Sequence, residues 1–239
     1  MRARTRTFFM INRTIVRTRV IQTLFAYYKD SEKTQLTARK ELLKSFADTY
    51  DLYFVLLDFA NELTLYAQQQ LEEQIARARA THSTWVPNRR FVNNRLAQQL
   101  FDNRALRAHI QEEKLSWDSG MPAVIDIYKQ MIDSDFYRRY MEADECTYED
   151  DKRLWRHIYQ YLLAGSESLT DALEEMEVVL DKTNWTTDAD VILSYVIKTL
   201  KRLQEDSTPE TELRPMFGSE DELQFATDLL QAALKGREQ

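Results

Sequence analysis

The stretch NRTIVRTRVIQTLFAYY (12–28) joins an arginine-bearing helix start directly to an apolar helix. Asn12 is a residue type that caps helix N-termini well. The apolar positions that follow are spaced by four, four and three residues, as on one helix face: Val16, Val20, Leu24 and Tyr27, with Ile21, Phe25 and Tyr28 widening it. The stretch therefore predicts an amphipathic helix with Arg13, Arg17 and Arg19 presented near its first turns.

These arginines lie at the helix end where the dipole is positive and where carboxylates are the favourable side chains. An external anion such as a phosphate would relieve that conflict. The alternative is a solvated helix end that has no partner.

The order of Arg17, Val20, Gln22 and Leu24-Phe25 resembles the opening helix of the NusB transcription antitermination family, where an Arg-rich start leads into A-x-Q-x-L-Y. Here Val20 replaces the small Ala and Phe25 replaces the Tyr. Three further segments are similar to a long, insert-bearing, Bacteroidetes-type variant of the family: DLYFVLLDFANELTLYAQQQ (51–70), VPNRRFVNNRLAQQL (86–100) and FATDLLQAAL (225–234).

The resemblance implies an all-α fold, a NusB-like helical bundle with a long second helix and a helical insert. It implies a cytoplasmic RNA-binding factor that acts with the ribosomal protein NusE on a boxA-type element of the ribosomal RNA leader, and indirectly on the RNA polymerase elongation complex. Arg13, Arg17 and Arg19 match the family's N-terminal motif and are the expected RNA-binding residues. The alternative function is a helical protein-interaction scaffold that does not bind RNA.

Composition favours long helices, because 239 residues contain only four Gly and four Pro. No apolar run approaches the roughly 18 to 20 residues needed to cross a bilayer, so no membrane role is expected. Cys146 is the only cysteine, which excludes an internal disulfide and fits a reducing compartment.

The net charge of −7 conceals two cationic segments. Residues 1–20 contain six arginines and no acid, and residues 77–107 contain seven arginines against Asp102 alone. Each segment carries +6, so the remaining residues must sum to −19. This uneven distribution of charge can direct a polyanion to part of an otherwise acidic surface.

From Thr34 to Val86 the chain has neither Gly nor Pro, and apolar positions alternate steps of three and four: Leu43, Phe46, Tyr50, Tyr53, Leu57, Ala60, Thr64, Ala67 and Leu71. An intermolecular coiled coil is one interpretation. Phe54, Leu56 and Phe59 broaden the apolar surface and favour a long helix of an intramolecular bundle instead.

Residues 82–147 are predicted to be a helical insert. Trp85, Phe91 and Phe101 alternate with arginines, a composition suited to phosphates and stacked bases, so Arg89, Arg90 and Arg95 are further candidate RNA-binding residues. The alternative is a helical hairpin whose aromatic side chains face inward and whose arginines are solvated.

The remaining divisions are a disordered Arg-rich extension (1–11), an N-terminal helical subdomain (12–81) and the start of a C-terminal subdomain (148–239) that looks truncated beside the family. The Pro-containing segment 205–215 reads as a linker. Without the family's last helices, residues after about Pro209 are expected to be loosely held or covered by self-association. The uncovered side chains would be Ile192, Tyr195, Val196, Thr199, Phe225, Leu229 and Leu230.

Catalytic motifs are missing from the sequence: it has no HExxH, GxSxG, CxxC or glycine-rich phosphate loop. Nothing in the sequence orients Cys146 and His157 as a catalytic pair. An acidic tract (133–151) lacks calcium-loop spacing and is expected to be a solvated face or to meet a basic partner. The chain is therefore expected to be a binding protein without cofactor or metal.

Overall fold

A computed structural model of the chain describes residues 9–235. This part is all-α and has no strand, which confirms the predicted fold class. The α-helices are α1 (Arg13–Lys29), α2 (Gln35–Ala80), α3 (Arg95–Asp102), α4 (Arg104–Glu112), α5 (Met121–Asp133), α6 (Asp135–Glu142), α7 (Tyr148–His157), α8 (Glu167–Val179), α9 (Trp185–Arg202) and α10 (Glu220–Lys235). No helix within residues 9–235 combines the length and apolar character that spanning a bilayer requires.

The chain divides into two compact units. Unit 1 contains residues 1–50 and 214–239, and unit 2 contains residues 51–213. One boundary falls inside the predicted linker 205–215. The other falls within the long helix α2, and the predicted divisions at 81/82 and 147/148 do not coincide with either boundary.

Unit 1 is built around α1, which packs against α10. Asn12 is the N-cap of α1, as predicted, and its Oδ1 accepts hydrogen bonds from the backbone N–H groups of Thr14 and Ile15. The predicted disorder of residues 1–11 is wrong for Met10 and Ile11, which are fully buried and donate backbone hydrogen bonds to residues 215 and 216. Residues 1–8 lie outside the described part.

The first part of α2 completes the core of unit 1. Leu42 and Phe46 are buried, and the Phe46 ring meets Phe217 edge to face at 5.6 Å between centroids. The Tyr50 hydroxyl donates to the Arg214 carbonyl at 2.9 Å. Leu230 on α10 is also buried, so the expectation that this helix lacks covering is wrong at that position.

Unit 2 surrounds the second part of α2. All side chains from Asp51 to Leu57 are buried, so this stretch is covered on every side, as expected for a central helix rather than a two-residue seam. The Trp117 indole N–H donates to the Val55 carbonyl, and the Tyr159 hydroxyl donates to the Leu56 carbonyl at 2.6 Å. These two bonds tie α2 to residues from the predicted insert and from the C-terminal subdomain.

The predicted insert contributes to this core. Phe91 is 2% exposed, and its ring lies 5.6 Å from that of Trp155. Trp85 and Phe101 are exposed. Phe91 therefore faces inward, as in the alternative of a helical hairpin, whereas Trp85 and Phe101 do not.

Helix α9 is also covered. Ile192 and Val196 are fully buried, and the hydroxyls of Thr199 and Tyr53 are hydrogen-bonded at 2.9 Å. The expected uncovered face of α9 is thus part of the core of unit 2.

A π-helix, π1 (Ile158–Leu163), directly continues α7. Its wider turns add a residue relative to the α-helical register, a feature that is often found at functional sites. The apolar spacing of this segment did not reveal the change of register.

Candidate nucleic-acid interface

The outer face of α1 is the candidate interface of unit 1. The helix contains three arginines, one lysine and no acidic residue. Steps of four and then three place Arg13, Arg17, Ile21, Phe25 and Tyr28 on one side of it. All five side chains are exposed, so the face combines guanidinium groups with aromatic rings.

Arg13 and Arg17 differ in their surroundings. The Arg13 guanidinium carbon lies 5.3 Å from the centre of the Phe225 ring of α10, a cation–π distance. Arg17 forms no hydrogen bond or ion pair with any residue between 9 and 235. Both charges therefore remain available to an external anion.

Arg19 is not presented at the surface, and that prediction is wrong. The side chain is 2% exposed, and its guanidinium donates to Gln22 Oε1 at 2.8 Å and to Thr49 Oγ1 at 3.2 Å. Arg19 lies three residues after Val16 and four before Thr23, which are both buried, and therefore belongs to the inner face. It positions α1 against α2 inside unit 1.

The opposite error concerns the apolar residues of α1. Ile21, Phe25 and Tyr28 were predicted to widen the buried face, but Ile21 is 66% exposed and Phe25 is 70% exposed. Their helical positions overlap with those of the exposed arginines rather than with those of Val16 and Val20. The angular position of each residue around the helix, at about 100° per residue, would have separated these exposed side chains from Val16 and Val20.

Arg89 and Arg90 lie in unit 2, just before α3. The exposed Arg89 forms a surface ion pair with Glu72 at 3.0 Å, which an RNA phosphate can replace at little cost. Arg90 donates to the Tyr140 carbonyl at 2.6 Å and is half-buried. Arg89 is thus the more accessible of the two.

Arg95 is held by carboxylates. Its Nε donates to Asp151 Oδ2 at 2.6 Å, and its Nη1 donates to Glu205 Oε1 at 3.0 Å. The Asp151 hydrogen bond is the main cause of the raised pKa of Arg95. An RNA contact by this side chain requires a phosphate to compete with a buried carboxylate.

Asp151 is the centre of a buried cluster that the sequence did not reveal. Besides Arg95, it accepts hydrogen bonds from the Tyr140 hydroxyl at 2.6 Å, from Asn94 Nδ2 at 3.3 Å and from Cys146 Sγ at 3.3 Å. Burial and the negative charge of Asp151 raise the pKa of Tyr140. The predicted solvated acidic face is therefore wrong at this residue, which joins α3, α6 and α7.

A second buried carboxylate, Asp51, also lies in unit 2. Asp51 Oδ1 is 2.8 Å from His109 Nε2, and Asp51 Oδ2 accepts from Lys182 Nζ at 2.7 Å. The His109 ring stacks on Phe54 at 3.8 Å between centroids. His109 is therefore a packing residue, and this network joins α4 and the segment after α8 to the central helix.

No group of three or more His, Cys, Asp or Glu side chains with metal-binding geometry is found within the described range.

Searches with protein-family models and of curated proteins and solved structures gave no match to this chain.

Proposed function

We propose that this chain is an RNA-binding transcription antitermination factor of the NusB type. In this proposal it acts in the cytoplasm with the ribosomal protein NusE on a boxA-type element of nascent ribosomal RNA and affects the RNA polymerase elongation complex indirectly. Its function is binding rather than catalysis. The family part of the proposal rests on the sequence resemblance.

The observation that carries RNA binding is the acid-free outer face of α1. Arg13 and Arg17 lie exposed in its first turns, where the helix dipole adds positive potential. Phe25 and Tyr28 follow on the same face and offer rings on which unpaired bases can stack. The two groups together match the combination of phosphate neutralisation and stacking that single-stranded RNA requires.

In unit 2, Arg89 is a further proposed phosphate contact. Arg90 and Arg95 contribute positive charge, but each must exchange a bond to protein for a bond to RNA. Arg19 is not included among the contacting residues.

A salt titration of boxA-type RNA binding tests this proposal. Each phosphate contact with a single strand contributes about 0.7 to the slope of log affinity against log salt concentration. The Arg13→Ala/Arg17→Ala double variant is expected to lose affinity and to reduce the slope by about 1.4. Lys40→Ala is the matched control, because it eliminates an exposed positive charge that lies on α2. It should change neither the affinity nor the slope.

An unchanged slope and affinity in the double variant, with helicity retained, would show that α1 is not the RNA site. Arg19→Gln provides a second comparison, because its effect should appear in the thermal stability and not in the slope.

The exposed aliphatic residues favour a second candidate, a protein-interaction scaffold. Ile21 and Leu36 in unit 1 are both about two-thirds exposed and have no ring to stack on a base. If α1 serves a protein partner rather than RNA, Ile21→Ser should weaken NusE binding. Loss of partner binding in Ile21→Ser together with no detectable RNA binding by the unaltered chain would favour the scaffold.

A further inference from the structure

A cavity of about 350 Å³ lies in unit 2 between α6 and α7, and none of the residues proposed above to contact RNA lines its walls. Its walls include Phe136 and Arg139 from α6, Cys146 from the connection, and Arg153 and His157 from α7. The Cys146 thiol donates to Asp151, and burial raises its pKa, so the thiol is not an activated nucleophile. The cavity is therefore better suited to binding than to covalent chemistry.

Two basic side chains on the cavity walls, Arg139 and His157, form no ion pair within the described part of the chain. The imidazole ring of His157 has no hydrogen bond to any described residue. Arg139 donates from Nε to the Asp135 carbonyl but forms no ion pair with a described carboxylate. Next to His157, the half-buried Arg156 has its Nε enclosed without a hydrogen-bond partner.

The two carboxylates on the walls form no hydrogen bond or ion pair with Arg139 or His157. Asp150 accepts from the Thr147 hydroxyl at 2.6 Å and from Arg153 Nη1 at 3.0 Å, so it serves the N-terminus of α7 and neutralises Arg153. Glu145 is exposed and is the other acidic residue on the walls. Burial and the nearby charges of Arg156, Arg153 and Arg139 lower the pKa of His157, because both disfavour the charged imidazolium form.

Aromatic rings flank the basic group. The His157 ring lies 5.5 Å from that of Phe136 and 5.3 Å from that of Tyr161, which is exposed. Tyr161 belongs to π1, which begins immediately after His157. The change of register thus occurs where a histidine, arginines and an exposed ring meet.

We propose that this cavity binds a nucleotide, with Arg139 and His157 donating to its phosphate and Phe136, which lines the cavity, stacking on its base. The volume lies near the lower end of the range for ligand pockets, which suits one nucleotide rather than an extended strand. The nucleotide is either free or the phosphorylated end of an RNA chain. The site does not depend on the outer face of α1.

NMR of the histidine ring protons in the full chain tests the proposal, because the sequence has only three histidines. His157→Gln assigns the signal, and AMP is the first probe. Bound phosphate should shift the His157 signal and raise the pKa of this residue, since an adjacent negative charge favours the imidazolium form. Arg139→Ala should weaken AMP binding by about 10-fold, the effect of losing one hydrogen bond from a charged donor.

Arg138→Ala is the matched control, because it removes the neighbouring exposed arginine of α6 and should leave AMP affinity within about 2-fold of the unaltered chain. If Arg139→Ala loses helicity, Arg139→Gln replaces it. AMP affinity that is the same in a folded Arg139 variant as in the unaltered chain overturns the proposal. Equal affinity for inorganic phosphate and AMP overturns the nucleotide assignment.

Short RNAs with a 5′-phosphate or a 5′-hydroxyl distinguish the two sources. A response to AMP identifies a free nucleotide as sufficient, and a response only to the 5′-phosphorylated RNA identifies a strand end. If neither AMP nor the 5′-phosphorylated RNA shifts the His157 signal, the site is refuted. The Arg13→Ala/Arg17→Ala variant should keep the His157 response, so the failure of either proposal can be recognised separately.

Discussion

Replacing Asp151 by asparagine should destabilise unit 2 strongly. The carboxylate accepts two short hydrogen bonds, from Arg95 Nε and from the Tyr140 hydroxyl, both at 2.6 Å. The amide of the variant would keep one acceptor oxygen but lose the charge and direct an N–H group at donors. Removing one partner of a fully buried ion pair costs about 3–5 kcal/mol, and because the Arg95 side chain is 42% exposed the lower end, about 3 kcal/mol, applies here. We expect a loss of this size in the free energy of unfolding.

Urea unfolding followed by tryptophan fluorescence measures this loss, because Trp117, Trp155 and Trp185 are all buried in unit 2. In a thermal melt the same loss corresponds to a decrease of about 10 °C in Tm for a chain of this size.

Glu205→Gln is the control, since it removes the second carboxylate that forms an ion pair with Arg95. The Glu205 side chain is 69% exposed against 4% for Asp151. Its loss should therefore cost no more than about 1 kcal/mol. A change below about 1 kcal/mol in Asp151→Asn, with an unchanged urea m-value, would refute the view that this cluster holds α3, α6 and α7 together.

Two further predictions concern unit 2. Burial, with the charges of Asp58 and Asp118, raises the pKa of Glu62 to about 7, so the unfolded chain loses this proton first and the folding stability falls as the pH rises from about 4.5 to 7. Glu62→Gln should therefore be more stable than the unaltered chain by roughly 1–2 kcal/mol at pH 8, after allowance for solvent screening, but not at pH 4. Thermal melts that show the same difference at both pH values would exclude the Glu62 carboxyl as the origin. Phe91→Ala should lower the free energy of unfolding by about 3–5 kcal/mol, as for a fully buried aromatic ring, whereas Trp85→Ala should change it by less than about 1 kcal/mol, and equal losses in urea titrations would show that Trp85 also belongs to the core.

The fold class and the helix starts could be predicted because they depend on local signals. The lack of Gly and Pro from Thr34 to Val86 predicts one long helix, and α2 is continuous over 46 residues. Asn12 caps α1 because its side chain reaches backbone N–H groups only a few residues away. Such signals do not require knowledge of the tertiary structure.

The candidate site was less predictable because residue type alone does not decide which side of a helix faces inward. Arg19 was assigned to the surface by its charge, yet Gln22 and Thr49 supply acceptors that make its burial tolerable. Asp151 bonds to Asn94 and Arg95, which precede it by more than fifty positions in the sequence. No local pattern contains that information.

The composition of unit 1 from two distant parts of the chain sets the order in which the protein can fold during synthesis. The ribosome makes residues 51–213 before the segment that contains α10, so unit 2 can fold while Val16 and Val20 of α1 still lack the helix that packs against α1. At about 5–20 residues per second, the synthesis of residues 51–213, which separates α1 from α10, takes on the order of ten seconds or more. During it the inner face of α1 is open to chaperones and to neighbouring nascent chains.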